Sequence, residues 1–170
     1  MAYQLSEINA RALRDPRTFM EEGDRAFAGK VERAAELIIG NMKKSPVVLL
    51  SGPSGSGKTT TAGMIEAELG RRGVRCHTIS MDDYYKTLNP KTAPKTPEGN
   101  VDFESPAMLD LPLLDEHFTA LTRGKEILVP HFEFARQMRN DSRARPLRLG
   151  ADEVAIFEGI HALNTDLTAR

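Results

Sequence analysis

The sequence predicts an α/β fold organised around a parallel sheet, and three observations carry that prediction. The apolar run Val47-Val48-Leu49-Leu50 sits between Pro46 and Ser51 and leads straight into glycines and serines. Short apolar runs without polar alternation read as strands covered on both faces, the usual state in a parallel sheet. From Thr59 the pattern changes to helical spacing through Ala62, Ile65, Glu66 and Leu69, and it stops at Gly70 and Gly73. Val74–Ser80 then reads as a second strand. Strand, glycine turn, helix and strand within about 35 residues form a βαβ unit, which crosses over right-handed.

The remaining elements follow in chain order. Residues 1–17 are polar and mixed, and Asp15-Pro16 marks a break because a residue before proline disfavours the helical region. Phe27, Val31, Ala34, Ala35 and Ile38 recur at helical spacing between Phe19 and Ile39, and Gly40-Asn41 closes the segment. Residues 1–45 are therefore expected to be a helical leader that docks one apolar stripe on the core, ahead of a domain spanning residues 46–170. Residues 86–106 hold Pro90, Pro94, Pro97 and Pro106 with no periodicity, the mark of a long functional or mobile loop. Helical spacing returns over Leu109–Leu121, with Leu113, Leu114, Phe118 and Leu121 on one side and Gly124 closing it. Ile127–Phe134 is strand-like, and Pro146–Leu149 is its expected hairpin partner. Arg136, Arg139, Arg143 and Arg145 lie between them, with Arg148 shortly after. A solvated hairpin accounts for most of these arginines; a phosphate clamp is the alternative. Val154–Phe157 is a third buried strand, ending in Glu158-Gly159.

Bulk composition narrows the function. A length of 170 residues is one domain, and Lys+Arg 23 against Asp+Glu 24 leaves a net charge of -1. Duplex nucleic acid calls for a basic excess that displaces counterions, so that partner class is set aside. The single Cys76 has no disulfide partner, and with His77 alone it offers too few ligands for a metal. No apolar run approaches the roughly 20 residues that span a bilayer. Nor does the N-terminus have the apolar block of a signal peptide, and Glu7 and Asp15 speak against a transit peptide. The expectation is a soluble protein of a reducing compartment, cytoplasmic and without a membrane partner.

Chemistry enters at Gly52-Pro53-Ser54-Gly55-Ser56-Gly57-Lys58-Thr59, which fits G-x-x-x-x-G-K-[ST] in full. The glycines allow backbone conformations closed to other residues, so that successive N–H groups converge on one anion. The helix that begins here adds unpaired N–H groups and its positive dipole end. Lys58 supplies a point charge for the β- and γ-phosphates of a bound nucleotide, and the Thr59 hydroxyl can ligate Mg²⁺. The motif lies between a strand and a helix, the context that gives it meaning. No Asp-x-x-Gly or Asn-Lys-x-Asp of a GTPase switch is present, and the strand at Val154 does not end in the Asp of a motor ATPase. Small-molecule kinases are the class that remains.

Five segments resemble uridine kinases, within the uridine kinase and phosphoribulokinase group of P-loop kinases. They are Ser51–Thr60, Ile79-Ser80-Met81-Asp82-Asp83-Tyr84-Tyr85, Asn100-Val101-Asp102, Val129-Pro130-His131-Phe132-Glu133-Phe134 and Phe157-Glu158-Gly159-Ile160. The likeness covers roughly residues 46–165 and implies the three-layer P-loop fold with a β-hairpin on the substrate side. It further implies transfer of the γ-phosphoryl of ATP, with Mg²⁺, to the 5′-hydroxyl of a uridine- or cytidine-like nucleoside. On that likeness Gly52, Ser54, Gly55, Ser56, Gly57, Lys58, Thr59 and Thr60 cradle the triphosphate, and Thr59, Glu158 and Asp82 face the Mg²⁺. Asp82 accepts the proton of the hydroxyl; Asp83 is the alternative, since neighbours on a strand point to opposite faces and only one can serve. Tyr85 and Phe132 contact the base, Asp102 holds ribose hydroxyls, and Gln137 and Arg139 stand on the substrate side. Phe132 occupies a position where the family often has tyrosine, and Gln137 one where several members have histidine. Other acceptors compatible with the motifs are pantothenate- or pentose-phosphate-like alcohols. A nucleotide-binding module without transfer is the reading from outside the enzyme class.

Members of this group continue past the Glu-Gly-Ile strand into two more strands and an arginine-bearing lid. The likeness therefore implies a kinase domain lacking those C-terminal parts up to Arg170, with the Val47 strand left as an open edge through which two copies could pair. Water exclusion and positive charge over the transferring group would be reduced, so turnover by the chain alone is expected to be weak or absent. A steady-state assay with several nucleosides, ATP and Mg²⁺ checks this: about 1 s⁻¹ or more, the low end for kinases, would contradict it.

Overall fold

A computed structural model describes residues 4–168. The chain starts with two helices, α1 (Leu5–Arg14) and α2 (Pro16–Asn41), separated at Asp15. The Asp15 carboxylate accepts the Thr18 N–H at 3.1 Å and Pro16 takes the first helical position, so the cap starts a new helix at the expected break. Val31 and Ala35 of α2 are buried, whereas Phe27 stays 38% exposed and does not join the apolar stripe.

A parallel three-stranded sheet follows, in the order β1 (Val47–Ser51), β7 (Glu153–Gly159), β2 (Arg75–Ser80). Helix α3 (Lys58–Arg71) connects β1 to β2, but these two strands are not neighbours: β7 lies between them. The simple adjacency of a βαβ unit is thus replaced by a sheet whose central strand arrives about 100 residues later. Burial follows this order. Every residue of β7 from Val154 to Gly159 is buried, while β1 is only partly buried, because among the described residues it pairs with β7 alone. The doubly covered strand is β7 rather than β1.

Alternation along β7 divides the core in two. Val154 and Ile156 join Val31, Ala35, Ala62, Ile65 and Leu69 of α2 and α3 on one face. Ala155 and Phe157 join Ile79, Leu114 and Leu121 on the other face, where α4 (Leu111–Thr122) packs. The result is helix, sheet and helix in three layers. On α3 the buried acidic residue is Glu68, which pairs with Arg71 and Arg72, rather than Glu66.

The predicted strand over Ile127–Phe134 is divided. β3 (Ile127–Val129) pairs antiparallel with β6 (Arg145–Leu147), and β4 (Phe132–Glu133) pairs with β5 (Met138–Arg139). Pro130, which has no N–H to give a ladder, stands at the division. The chain then closes with α5 (Thr165–Thr168), and Arg170 lies outside the described residues.

Gly159 ends the central strand against Met81, the residue that follows β2. A Cβ there would lie 2.9 Å from the Met81 Cβ, so Gly159→Ala must move Met81. We expect a loss of about 1–3 kcal/mol by denaturant unfolding, the usual cost of overpacking. A change below about 0.5 kcal/mol, as for ordinary surface substitutions, would show that Met81 yields freely.

Candidate active site

Parallel strands carry their C-terminal ends to one side of the sheet, and here all three ends bear polar chemistry. The registers Ser51↔Gly159, Leu50↔Glu158 and Ser80↔Glu158 bring the ends of β1, β7 and β2 level. Such a rim is where open α/β sheets bind ligands. The Ser51 hydroxyl donates to the Ile160 carbonyl at 3.0 Å and ties the segment after β7 to the segment after β1.

After β1 the chain forms the glycine loop. Gly55 and Gly57 have φ of 73° and 83°, a left-handed backbone that disfavours other residues. A Cβ on Gly52 would lie 2.8 Å from the Ser56 Oγ and 3.2 Å from the Lys58 Cγ, so a side chain there would displace the Ser56 hydroxyl and crowd Lys58. Lys58 Nζ donates to the Pro53 carbonyl at 3.1 Å, across the mouth of the loop. Ser54, Ser56, Thr59 and Thr60 are exposed around it. Thr59 Oγ1 donates to Glu158 Oε1 at 3.3 Å, and Glu158 is only 7% exposed. The cradle, the Thr59 hydroxyl and the Glu158 carboxylate therefore meet at one point.

After β2 the chain enters a 3₁₀ turn, Met81–Tyr84, instead of continuing as a strand. The separation of Asp82 from Asp83 therefore comes from the advance of about 120° per residue in such a turn, not from strand alternation. Asp83 faces the hairpins: its Oδ1 accepts the Phe132 N–H at 3.2 Å and lies 3.3 Å from His131 Nδ1. Asp82 faces the rim. Burial holds its carboxyl above the ordinary aspartate range, the Glu158 charge adds to this, and Lys58 opposes both. Behind the turn, the Tyr84 hydroxyl and His117 Nδ1 on α4 share a buried hydrogen bond of 2.9 Å. Burial lowers the pKa of His117 and raises that of Tyr84, so both are neutral at pH 7 and the turn is anchored without charge.

A cavity of about 360 Å³ opens between the glycine loop and the hairpins. It is lined by Ser54, Asp82, Tyr85, Phe103, Glu104, Phe132, Phe134, Gln137 and Ile160. Tyr85, Phe132 and Phe134 meet edge to face at centroid separations of 5.6, 6.3 and 5.1 Å. The Tyr85 hydroxyl donates to the Phe103 carbonyl at 3.0 Å, and burial pushes its pKa up to about 12. Gln137 has φ of 50°, the one non-glycine residue among those described with positive φ, and its carbonyl accepts the Leu88 N–H. No lysine or arginine lines this cavity. A second cavity, about 340 Å³, runs along β2 past His77 and Thr78 and contains none of the candidate site residues.

Two candidate substrate residues stand apart. Asp102 is absent from the cavity lining, and its Oδ1 accepts the Glu104 N–H at 3.0 Å, closing a local turn. Arg139 is held by Asp110 and Asp141, each at 2.9 Å, and also lies off the cavity. The other arginines do not converge on the cradle either: Arg136 and Arg143 face Glu133, and Arg148 donates to the Gly124 carbonyl. Phe134 is a further lining residue, outside the candidates that the sequence marks. It is 60% exposed yet lines the cavity, and its i,i+2 spacing from Phe132 is the signal that could have found it.

A glycine-loop cradle with a carboxylate at each neighbouring strand end defines a P-loop phosphotransferase fold. Residues 47–167 match the Phosphoribulokinase / Uridine kinase family, and the chain belongs to that family. A uridine kinase of Deinococcus deserti is 33% identical over 117 residues, covering 69% of this chain and 53% of its own length. One of Ureaplasma urealyticum is 30% identical over 125 residues, covering 73% and 58%. The chain spans about half the length of such curated relatives. Among solved structures, a D-glycerate 3-kinase from Cryptococcus neoformans superposes with a TM-score of 0.56 at 24% identity, covering 78% of this chain and 52% of that one. A "Possible Uridine Kinase" from Bacillus stearothermophilus gives 0.57 at 21%, covering 72% and 65%. At these identities the structures establish the shared fold.

The electrostatics of the rim are testable by pH. Burial and the Glu158 charge both disfavour the Asp82 carboxylate, so falling pH neutralises Asp82 earlier than a free aspartate. Carboxyl-resolved NMR should find Asp82 titrating above the ordinary aspartate value, and Glu158→Gln should lower it. An Asp82 titration that ignores Glu158→Gln would show that the two charges do not meet.

Proposed function

We propose that this chain carries the phosphate cradle and acceptor pocket of a nucleoside kinase, which moves the γ-phosphoryl of ATP to the 5′-hydroxyl of a uridine- or cytidine-like nucleoside. One observation carries the choice of acceptor: the cavity beside Asp82 is walled by Tyr85, Phe132 and Phe134 and lined by no cation. A neutral, planar group suits aromatic faces of this kind. An acceptor that already bears a phosphate or carboxylate would meet Asp82 and Glu104 in a cavity lined by no lysine or arginine, which disfavours pentose phosphates and pantothenate. The uridine kinases among the relatives support the same reading.

The loop amides of residues 52–60 and the Lys58 ammonium would hold the triphosphate, with Lys58 exchanging the Pro53 carbonyl for phosphate oxygens. Thr59 and Glu158, with Asp82 nearby, form an all-oxygen donor set suited to a hard cation. Among the described residues no group of three acidic, His or Cys side chains could hold a metal by itself, so these residues fit Mg²⁺ only where phosphates and water complete its shell. Bound there, Mg²⁺ would neutralise charge on the transferring phosphoryl. Asp82 accepts the proton of the 5′-hydroxyl as its oxygen bonds to the γ-phosphorus and the bond to the β,γ-bridging oxygen breaks, releasing ADP. Burial and the Glu158 charge raise the Asp82 pKa, which makes its carboxylate a stronger proton acceptor than a free aspartate.

Calorimetric titration tests the acceptor. Uridine or cytidine should bind, while a pentose phosphate and pantothenate should not at millimolar concentration. A chain that takes ATP and none of the nucleosides would be a binding module, and the kinase reading would fall. In single-turnover transfer of labelled phosphate, Asp82→Asn should cost about 10²–10⁴-fold, the worth of a general base, with ATP affinity within a few fold. Normal transfer by that variant would remove Asp82 from its role.

A further inference from the structure

The segment from Asn89 to Glu104 forms one wall of the acceptor cavity, through Phe103 and Glu104, with few ties to the rest of the molecule. Its backbone hydrogen bonds are internal: Ala93 to Asn89, Thr96 to Asn100 and Asp102 to Pro94. Two side chains from outside grip two successive carbonyls at its end. The Tyr85 hydroxyl donates to Phe103, and His161 Nε2 lies 2.7 Å from the Glu104 carbonyl. A carbonyl only accepts, so Nε2 carries the proton. Tyr85 follows the Asp82 turn after β2, and His161 follows Ile160 after β7.

We propose that His161 is a positioning residue: it latches the Phe103–Glu104 wall across the cavity and thereby sets affinity for the acceptor. Fixing a loop costs conformational entropy that the loop's own contacts must offset. With the latch in place, that ordering is done before the acceptor arrives, and binding need not supply it. The Tyr85 grip on the neighbouring carbonyl holds the wall from one side only; His161 joins it to the strand that carries Glu158. The Asp102 carboxylate, which accepts the Glu104 N–H, completes the turn from within the loop. The part of the proposal that concerns acceptor affinity rests on the nucleoside reading above, while the mechanical part does not.

The test compares His161→Ala with His161→Gln, whose side-chain nitrogen reaches the place of Nε2. In hydrogen exchange, the amides of Asp102, Glu104 and Ser105 should exchange several-fold faster in His161→Ala and near the wild-type rate in His161→Gln, with α3 and β7 unchanged. Calorimetry should then show uridine affinity reduced roughly 5-fold by His161→Ala, the worth of one such hydrogen bond, and restored by His161→Gln, with ATP affinity unchanged in both. Wild-type exchange over residues 102–105 in His161→Ala would overturn the latch. Faster exchange with unchanged uridine affinity, or an equal loss of uridine and ATP affinity, would overturn the positioning role. A wild-type chain that binds no nucleoside would overturn the nucleoside reading, and the exchange comparison would still decide the latch.

Discussion

The arrangement at the rim depends on β7 running between β1 and β2. A strand in that position must be apolar on both faces, and Val154, Ala155, Ile156 and Phe157 meet the demand by filling the two cores alternately. The next residue, Glu158, is held by the same ladder but reaches the rim, where its carboxylate accepts from Thr59. A buried carboxylate is costly without partners. Here the cost is carried by a strand whose apolar body anchors it on both sides, and the charge stands beside the glycine loop.

A second constraint acts against the first. Asp82 and Glu158 bring like charges to adjacent strand ends, and burial together with repulsion raises Asp82. The turn that holds Asp82 is anchored independently of that repulsion. Tyr84 and His117 share a neutral hydrogen bond behind it, Asp83 accepts from the Phe132 backbone, and Ser80 Oγ accepts the Asp82 N–H at 3.3 Å. These ties fix Asp82 at the rim against the repulsion from Glu158.

The aromatic cavity is built by tying together pieces distant in sequence. Asp83 connects the turn after β2 to β4, which carries Phe132, and Tyr85 reaches the loop carbonyl of Phe103. Gln137 takes a left-handed backbone at the tip between β4 and β5, and its carbonyl fixes Leu88 at the start of the long loop. The aromatic wall is thus a junction of three segments, and its neutrality follows from which side chains reach it. Arg139 would have changed that character, but Asp110 and Asp141 hold it away.

Much of this was legible along the chain because it is local. The glycine loop, the strand before it, the helix after it and the break at Asp15-Pro16 each depend on residues within a few positions of one another, where backbone preference and capping act. The family likeness was legible too, since it lies in short segments. What the sequence could not determine was every decision that rests on distant partners. Which strand is central, whether Asp82 or Asp83 faces the rim, and whether Arg139 reaches the cavity depend on β7, Phe132 and Asp110, each distant in sequence from the residue concerned. Local patterns set which conformations a segment can adopt. Only packing and hydrogen bonding across the finished fold decide where its side chains point.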